Sequence, residues 1–548
     1  GAGTSAGADA RVTLQASSGA IVQADGSNEI AAKEVVIAST AGAVSLNDVT
    51  NDFGAVSATL TGASEALTIK NSTDLKVGVN ESGAGLVGLT THGGAINLQS
   101  VSGDVSIDAA IQTSGGTLTS TGTDFINTAT ITTGGGAVNL NSQTGVVDID
   151  ANVTTSGGAF TATGASAFDS SGINITTSGA DDTAGGAITV TTSTGDLTTG
   201  PLYAKGGNVA SGAGMVGATV TLNAADKLNT SGVIDTRGSA GGVNAGGAGG
   251  VIELTGANGI VIGGNLYSAG GSGVTVGAGG SVTVNSDTLL DTNLEIDTGS
   301  GAGGITFVGT LDSNVGTTRT LALTAGMGNI DFDGIVGGTT ALGAVTMNSA
   351  ASVTADASFS AASLRQVAGT GTTTFTGALT TTAANGINVD GTNFDFNGAV
   401  SLTLGDLDVD ATGTVRFNGL VTTSDVSNGL VTITNDGELT ITSTGDMDLQ
   451  GAFLQDGAGV VSTAGNITTS DDDVTFQTST TLTGGSVIDT GAGAGNILFG
   501  ATLDAATAGT QTLALTAGQG DVTFTGIVGG TERLGAVTIN QVAGTTIS

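Results

Sequence analysis

The chain has no cysteine, no tryptophan, one proline and one histidine in 548 residues. Without cysteine there is no disulfide frame and no thiolate for redox or metal chemistry. With His92 the one histidine, multi-histidine zinc sites are excluded and histidine-centred triads nearly so, since one could form only around that residue. Its place before Gly93-Gly94 reads as a corner. Aromatic residues are 3% and charged residues 11%, the latter about half the usual share. Lys and Arg number 11 against 47 Asp and Glu, a net charge of −36. Phosphate neutralisation needs cations, so nucleic acid is not an expected partner. There is no run of 18 apolar residues that could form a membrane-spanning helix. No signal peptide is present: the chain starts at Gly1 and stops at Ser548 inside repeat-like sequence. It is therefore read as a piece of something longer or as a processed unit. Amphipathic helical spacing is also missing, because Gly or a β-branched residue interrupts nearly every window.

Glycine, by contrast, is abundant at 96 residues, and 39% of the chain is apolar. One proline and no three-residue period exclude collagen. Strong Val/Ile/Leu alternation excludes a disordered tail. The organising word is an apolar-polar-apolar strand ending at Gly. It occurs as Thr373-Thr374-Phe375-Thr376-Gly377, Phe394-Asp395-Phe396-Asn397-Gly398 and Val415-Arg416-Phe417-Asn418-Gly419, with the phenylalanines at 375, 396 and 417, a step of 21. Such a word is a short strand closed by a turn, and its repetition predicts a solenoid rung.

Three stretches follow. In 1–172, Gly93-Gly94-Ala95-Ile96-Asn97-Leu98 returns as Gly135-Gly136-Ala137-Val138-Asn139-Leu140 at a step of 42, a double coil. Thr113-Ser114-Gly115-Gly116 returns as Thr155-Ser156-Gly157-Gly158 at the same step. In 173–284 the strand words Ile188-Thr189-Val190, Val220-Thr221-Leu222 and Ile252-Glu253-Leu254 recur at a step of 32. Gly-rich tracts between them predict loops leaving one corner of each coil. In 285–548, Leu321-Ala322-Leu323-Thr324 and Leu513-Ala514-Leu515-Thr516 belong to a block repeated at an offset of 192 without a gap, roughly nine coils of 21.

The expected fold is all-β: a right-handed parallel β-helix of about 21 residues per coil, with longer loop-bearing coils in the middle, running as one continuous rod. Strands stack about 4.8 Å apart, so roughly 25 coils would span on the order of 120 Å. Inward positions carry Val, Ile, Leu, Phe and Ala; outward positions carry Thr, Ser, Asn and Asp.

Asn51-Asp52-Phe53-Gly54, the Gly-Gly-Ala-[Ile/Val]-Asn-Leu strands and Val336-Gly337-Gly338-Thr339 resemble filamentous-haemagglutinin-type giant bacterial β-strand-repeat surface proteins, over nearly the whole chain. That resemblance implies secretion to the cell exterior, a role in adhesion or in a surface filament, and a right-handed β-helix. The family's amino-terminal secretion domain is not recognisable here.

Candidate chemistry is sparse. Asp406, Asp408 and Asp410 alternate on one outer face, as do Asp148 with Asp150 and Asp446 with Asp448. Glycoside hydrolysis uses two carboxylates at a defined separation, but sugar-processing β-helices add Lys, Arg and aromatic residues, and this chain has two Tyr. Solvated face residues are the simpler reading. Asp471-Asp472-Asp473 and Asp181-Asp182 offer oxygen ligands for a structural Ca²⁺, which would offset like charges in register on adjacent coils. Gly246 to Gly250 lack the Gly-Lys-Ser/Thr of a phosphate loop. The Thr128, Thr130, Thr132 row is too irregular for ice binding. No catalytic, cofactor or metal residue is assigned. The expected function is a non-enzymatic extracellular structural protein. It would be a solenoid segment of a giant surface adhesin or filament, continued end to end by self-association or by a longer parent chain. Two alternatives are a carbohydrate- or receptor-binding adhesin tip, meeting host cells or glycans, and a β-helix polysaccharide-degrading enzyme. The Gly-rich loops 205–215, 237–250 and 269–280 are where lateral contacts or a ligand are sought first.

Overall fold

The computed structural model describes residues 10–24, 29–80, 85–425 and 429–547; the two ends, Gly1 and Ser548, lie outside the described residues. The chain is a parallel β-solenoid of about 23 turns at ~23 residues per turn, with ~47% strand and no helix among the described residues. Contacts divide it into two units, Gly1–Thr288 with Ile296–Gly303, and Leu289–Glu295 with Gly304–Ser548.

In the first unit most turns carry three short strands, one per face; in the earliest turns one long strand, Ala31–Ser39 or Asp52–Ala63, runs over two of the faces. Face I holds Ile96, Leu118, Val138 and Phe160 in register. Face II holds Val105, Phe125, Val147 and Phe168. Face III holds Ile111, Ile131, Val153 and Ile175. Side chains alternate across each strand, so Ile96 and Leu98 are buried while Asn97 between them is exposed. The 42-residue step is two turns: Ile96 pairs Leu118 and Leu118 pairs Val138. The 32-residue step is one long turn, taking Ile188 to Val220 and Val220 to Ile252. One antiparallel pair, Val79–Asn80 with Leu86–Val87, leaves this pattern.

The corners explain the glycine content. Gly94, Gly116, Gly136, Gly158 and Gly186 form a column at the corner entering face I. A Cβ on Gly116 would lie 2.0 Å from the Gly94 carbonyl oxygen, and one on Gly158 would lie 2.1 Å from that of Gly136. Backbone stacks on backbone with no room for a methyl group. Beneath the column runs a second, polar one. Thr91, Thr113, Thr133, Thr155, Thr177 and Thr236 are fully buried, and each donates its hydroxyl to the carbonyl of the glycine that closes its own corner. The inward set thus departs from the purely apolar expectation at this position. A helical or sheet partner cannot reach these carbonyls at a corner, and a short hydroxyl can. In one turn both change together: Ala204 replaces the threonine and Ala218 the glycine, while Ala218 still donates its N–H to the Ala204 carbonyl at 2.7 Å.

The Gly-rich tracts differ from simple excursions. They run turn on turn, tied by backbone bonds such as Gly206 N–H to the Arg237 carbonyl (3.0 Å), Gly238 N–H to Ala269 (3.0 Å) and Gly241 N–H to Ser272 (2.8 Å). A Cβ on Gly247 would sit 2.0 Å from the Met215 carbonyl. Glycine here permits close packing of extended backbone and is not a sign of slack.

In the second unit, face labels run again in chain order. Face I carries Ile305, Ile330, Val353, Thr373, Phe394 and Val415. Face II carries Leu311, Val336, Phe359 and Leu379. Face III carries Leu321, Val345, Leu364 and Ile387. The phenylalanine word stacks as its 21-residue step predicts: Phe375 lies against Phe396 at 5.9 Å, and Phe396 against Phe417 at 4.9 Å. The offset of the repeated block is not a whole number of turns. Eight turns take Ile305 to Thr480 on face I. Ile497, the copy of Ile305, lies two faces further on, in the face III ladder between Val474 and Val522. Likewise Leu321 is on face III and its copy Leu513 pairs Ser486 in the ladder that continues face II.

Candidate functional site

Five of the twelve aspartates singled out by sequence, Asp406, Asp408, Asp446, Asp471 and Asp473, tie turns together. Asp406 accepts the Leu430 N–H at 2.9 Å, and Asp446 accepts the Asn466 N–H at 2.7 Å. Asp473 accepts both the backbone and the side-chain N–H of Asn496, at 2.7 and 3.0 Å, and Asp471 accepts the Gly493 N–H at 2.5 Å. Each is a corner carboxylate that caps an N–H one turn along. The same device recurs where no cluster drew attention. Asp104 caps Asp124, Asp124 caps Val146 and Asp196 caps Lys227. Asp312 and Asp504, its counterpart in the repeated block, each cap two successive N–H groups. A step of about one turn between Asp and the strand it caps is the signal that could have found them. Charge-assisted bonds of this kind give the acidic composition a structural use.

The remaining strand aspartates face outward as the alternation predicts. Asp408 accepts the Asn388 side-chain amide at 2.9 Å. Burial, then repulsion from Asp150 and Asp169, raises the pKa of Asp148. Burial, then Asp410 stacked on it in register, raises that of Asp390. Asp448 and Asp150 are exposed. Among the described residues no group of three or more His, Cys, Asp or Glu is arranged to hold a metal ion. Asp181 and Asp182 are exposed on the Gly-rich side, where Asp182 has φ 58°. His92 ends its strand at a corner and donates from Nδ1 to the Leu60 carbonyl at 3.1 Å. Thr128, Thr130 and Thr132 are exposed, and Thr132 stacks between Gln112 and Thr154. Gly246 to Gly250 belong to the stacked tracts already described.

One constellation was not assembled from sequence. On face III of the first unit, Thr176, Tyr203, Asp235 and Tyr267 form an outward column. Both tyrosines of the chain therefore flank Asp235, one turn to each side. Two residues further along these strands stand Ser178, Lys205 and Arg237. Asp235 is only 4% exposed at its side chain and accepts Arg237 Nε at 2.9 Å and Nη2 at 2.7 Å, a bidentate pair; Lys205 Nζ lies 3.9 Å from the same Oδ2. The hydrogen bond to Asp235 holds the Arg237 guanidinium above its ordinary pKa. Lys205 lies over the Tyr203 ring at 5.8 Å and Arg237 over the Tyr267 ring at 5.1 Å. The Asn265 amide donates to the Tyr267 hydroxyl at 2.8 Å. Beside the cations opens a cleft of about 440 Å³, lined by Ser178, Lys205, Asn208, Arg237, Ser239 and Ala240 with glycine backbone between them. The repeat Leu202-Tyr203-Ala204-Lys205-Gly206-Gly207 and Leu266-Tyr267-Ser268-Ala269-Gly270-Gly271 marked the tyrosines. The intervening turn, with Asp235 and Arg237, shares too little of that word to be joined to it by sequence alone.

The chain matches no protein-family model, no curated protein and no solved structure.

Proposed function

We propose that the chain is a non-enzymatic structural segment of a giant surface protein of the filamentous-haemagglutinin type, working outside the cell as part of an adhesin or filament. The supporting observation is how the polar side chains are used. Buried threonines close corners, carboxylates cap the N–H groups of neighbouring turns, and glycines let backbone lie on backbone. The threonines brace each corner from within, while the carboxylates and the glycine columns join one turn to the next. Such an array resists unwinding because turns are held by strand ladders and by side-chain ties at the corners. End-to-end continuation in the parent protein, and any structural Ca²⁺ between outward aspartates, belong to the same reading.

Electron microscopy of native material with antibody against this segment tests it. Label along uniform surface fibres supports the reading. Label confined to the cell interior sinks it, as does turnover of a polysaccharide by the purified chain.

A further inference from the structure

The cleft beside Asp235 is chemically unlike the rest of the chain. Basic residues number 11 in 548, yet Lys205 and Arg237 sit on consecutive turns and reach the same carboxylate oxygen of Asp235. Asp235 is the anion they share, and Asp297, two turns further along the same column, also acts on Arg237, so the spot is balanced in charge within a molecule of net charge −36. Both remain open to solvent, with side chains 41% and 47% exposed. Asp235 uses only Nε and Nη2 of Arg237, so the Nη1 amino group stays available to a second acceptor. The pairing also fixes the guanidinium in place, which lowers the entropy cost of binding. The tyrosine rings beside the cations hold them further. The other lining groups are the hydroxyls of Ser178 and Ser239, the amide of Asn208, the Ala240 methyl and glycine backbone. These make no apolar floor for a large peptide side chain or a lipid tail. Long polyanions are opposed by the charge of the whole molecule, whereas a short ligand meets mainly the local field.

We propose that this cleft binds an acidic saccharide, with the carboxylate or sulfate of one sugar held between Lys205 and Arg237 and the sugar hydroxyls held by Ser178, Asn208 and Ser239. The site goes beyond the structural role and does not rest on it, since a solenoid in any setting would carry it. Carboxylate and sulfate share the planar or tetrahedral oxyanion that an arginine and a lysine grip together.

The test is calorimetric titration of the full chain at low salt with three probes: a uronic-acid trisaccharide, a sulfated disaccharide and a neutral trisaccharide. Binding of either acidic probe, weakening with added salt, is the expected result, and whichever binds identifies the anion. Lys205→Gln with Arg237→Gln should weaken binding by about tenfold or more. Ala240→Glu leaves both ion pairs intact and places a carboxylate on the cleft wall, so it should cause a similar loss even if the double variant folds poorly. Lys76→Gln, which removes the cation paired with Asp108 elsewhere, should change nothing. The proposal is overturned if neither acidic probe binds, if the neutral probe binds equally well, or if Ala240→Glu binds like the parent. None of those outcomes would bear on fibre labelling, so the two readings fail separately.

Discussion

Phe307 stacks on Phe332 with ring centroids 5.6 Å apart and planes 2° from parallel. Their counterparts in the repeated block, Phe499 and Phe524, stack at 5.4 Å and 4°. The first pair stands on face I and the second on face III. One sequence block thus builds the same aromatic stack on two different faces. Each face asks the same of its strand: two inward apolar residues around one outward polar residue, and a corner that tolerates glycine.

These stacks should carry much of the local stability. Phe396 lies between Phe375 and Phe417 and is fully buried. Phe396→Ala removes ring contacts with Phe375, Phe394 and Phe417 and leaves a cavity, so a loss of about 3–5 kcal/mol is expected by chemical denaturation. Because turns contact mainly their neighbours, hydrogen exchange should speed up around residues 373–419 and change little in the first unit.

The corner hydroxyls separate two kinds of buried threonine. Thr133 gives its proton to the Gly136 carbonyl, whereas Thr230 is buried with no hydrogen-bond partner for its hydroxyl. Thr133→Val should cost about 1–3 kcal/mol, and Thr133→Ser should recover most of it. Thr230→Val replaces an unsatisfied hydroxyl by a methyl group and should be neutral or stabilising by about 1 kcal/mol. Thermal melts of the three variants check the contrast.

Gly136→Ala tests the backbone column. Its Cβ would fall 2.0 Å from the Gly116 carbonyl oxygen, and only a shift of stacked turns could relieve that. A loss of about 3 kcal/mol or more is expected. Gly19→Ala, with no atom within 4 Å of the new Cβ but a φ of 81°, should cost less, about 1–2 kcal/mol. Equal melting points for the two variants would argue against turn-to-turn contact as the reason for glycine.

Acid should stabilise this fold at first. Burial and neighbouring carboxylates raise Asp148, Asp331 and Asp390 above the ordinary aspartate value. Their charged forms are disfavoured in the folded chain relative to the unfolded one, where the value is about 3.9. Above the raised values the penalty is full; as pH falls toward about 4 the fold takes up protons that the unfolded chain does not, and the penalty disappears. The melting temperature should therefore rise as pH is lowered from neutral through the raised values toward the ordinary aspartate value. Replacing all three residues by Asn should flatten that rise. Melts across this range, in parent and triple variant, decide it.

Most of the fold could be read from the sequence because the words are short, alternating and repeated at steps that the strand register reproduces. The 21-residue step of Phe375, Phe396 and Phe417 and the 32-residue step of Ile188, Val220 and Ile252 are single turns of the solenoid. Corner chemistry was harder to read. A buried Thr113 looks like any surface threonine in sequence, because its burial follows from the bend and not from a period of two. The aspartate caps were hidden for a related reason, since Asp406 and Leu430 become neighbours only once the turns stack. The Lys205–Asp235–Arg237 cluster needed turns of unlike wording laid side by side.

The equivalence of the three faces bears on how such a chain can change length. If any strand word can occupy any side of the winding, unequal crossover need not preserve whole turns to yield a foldable product. Insertions of a single side, a few residues long, become heritable steps, and the winding absorbs them by shifting phase at the next bend. A winding of this kind can then change length in small increments, and the surface decoration on each side changes with it.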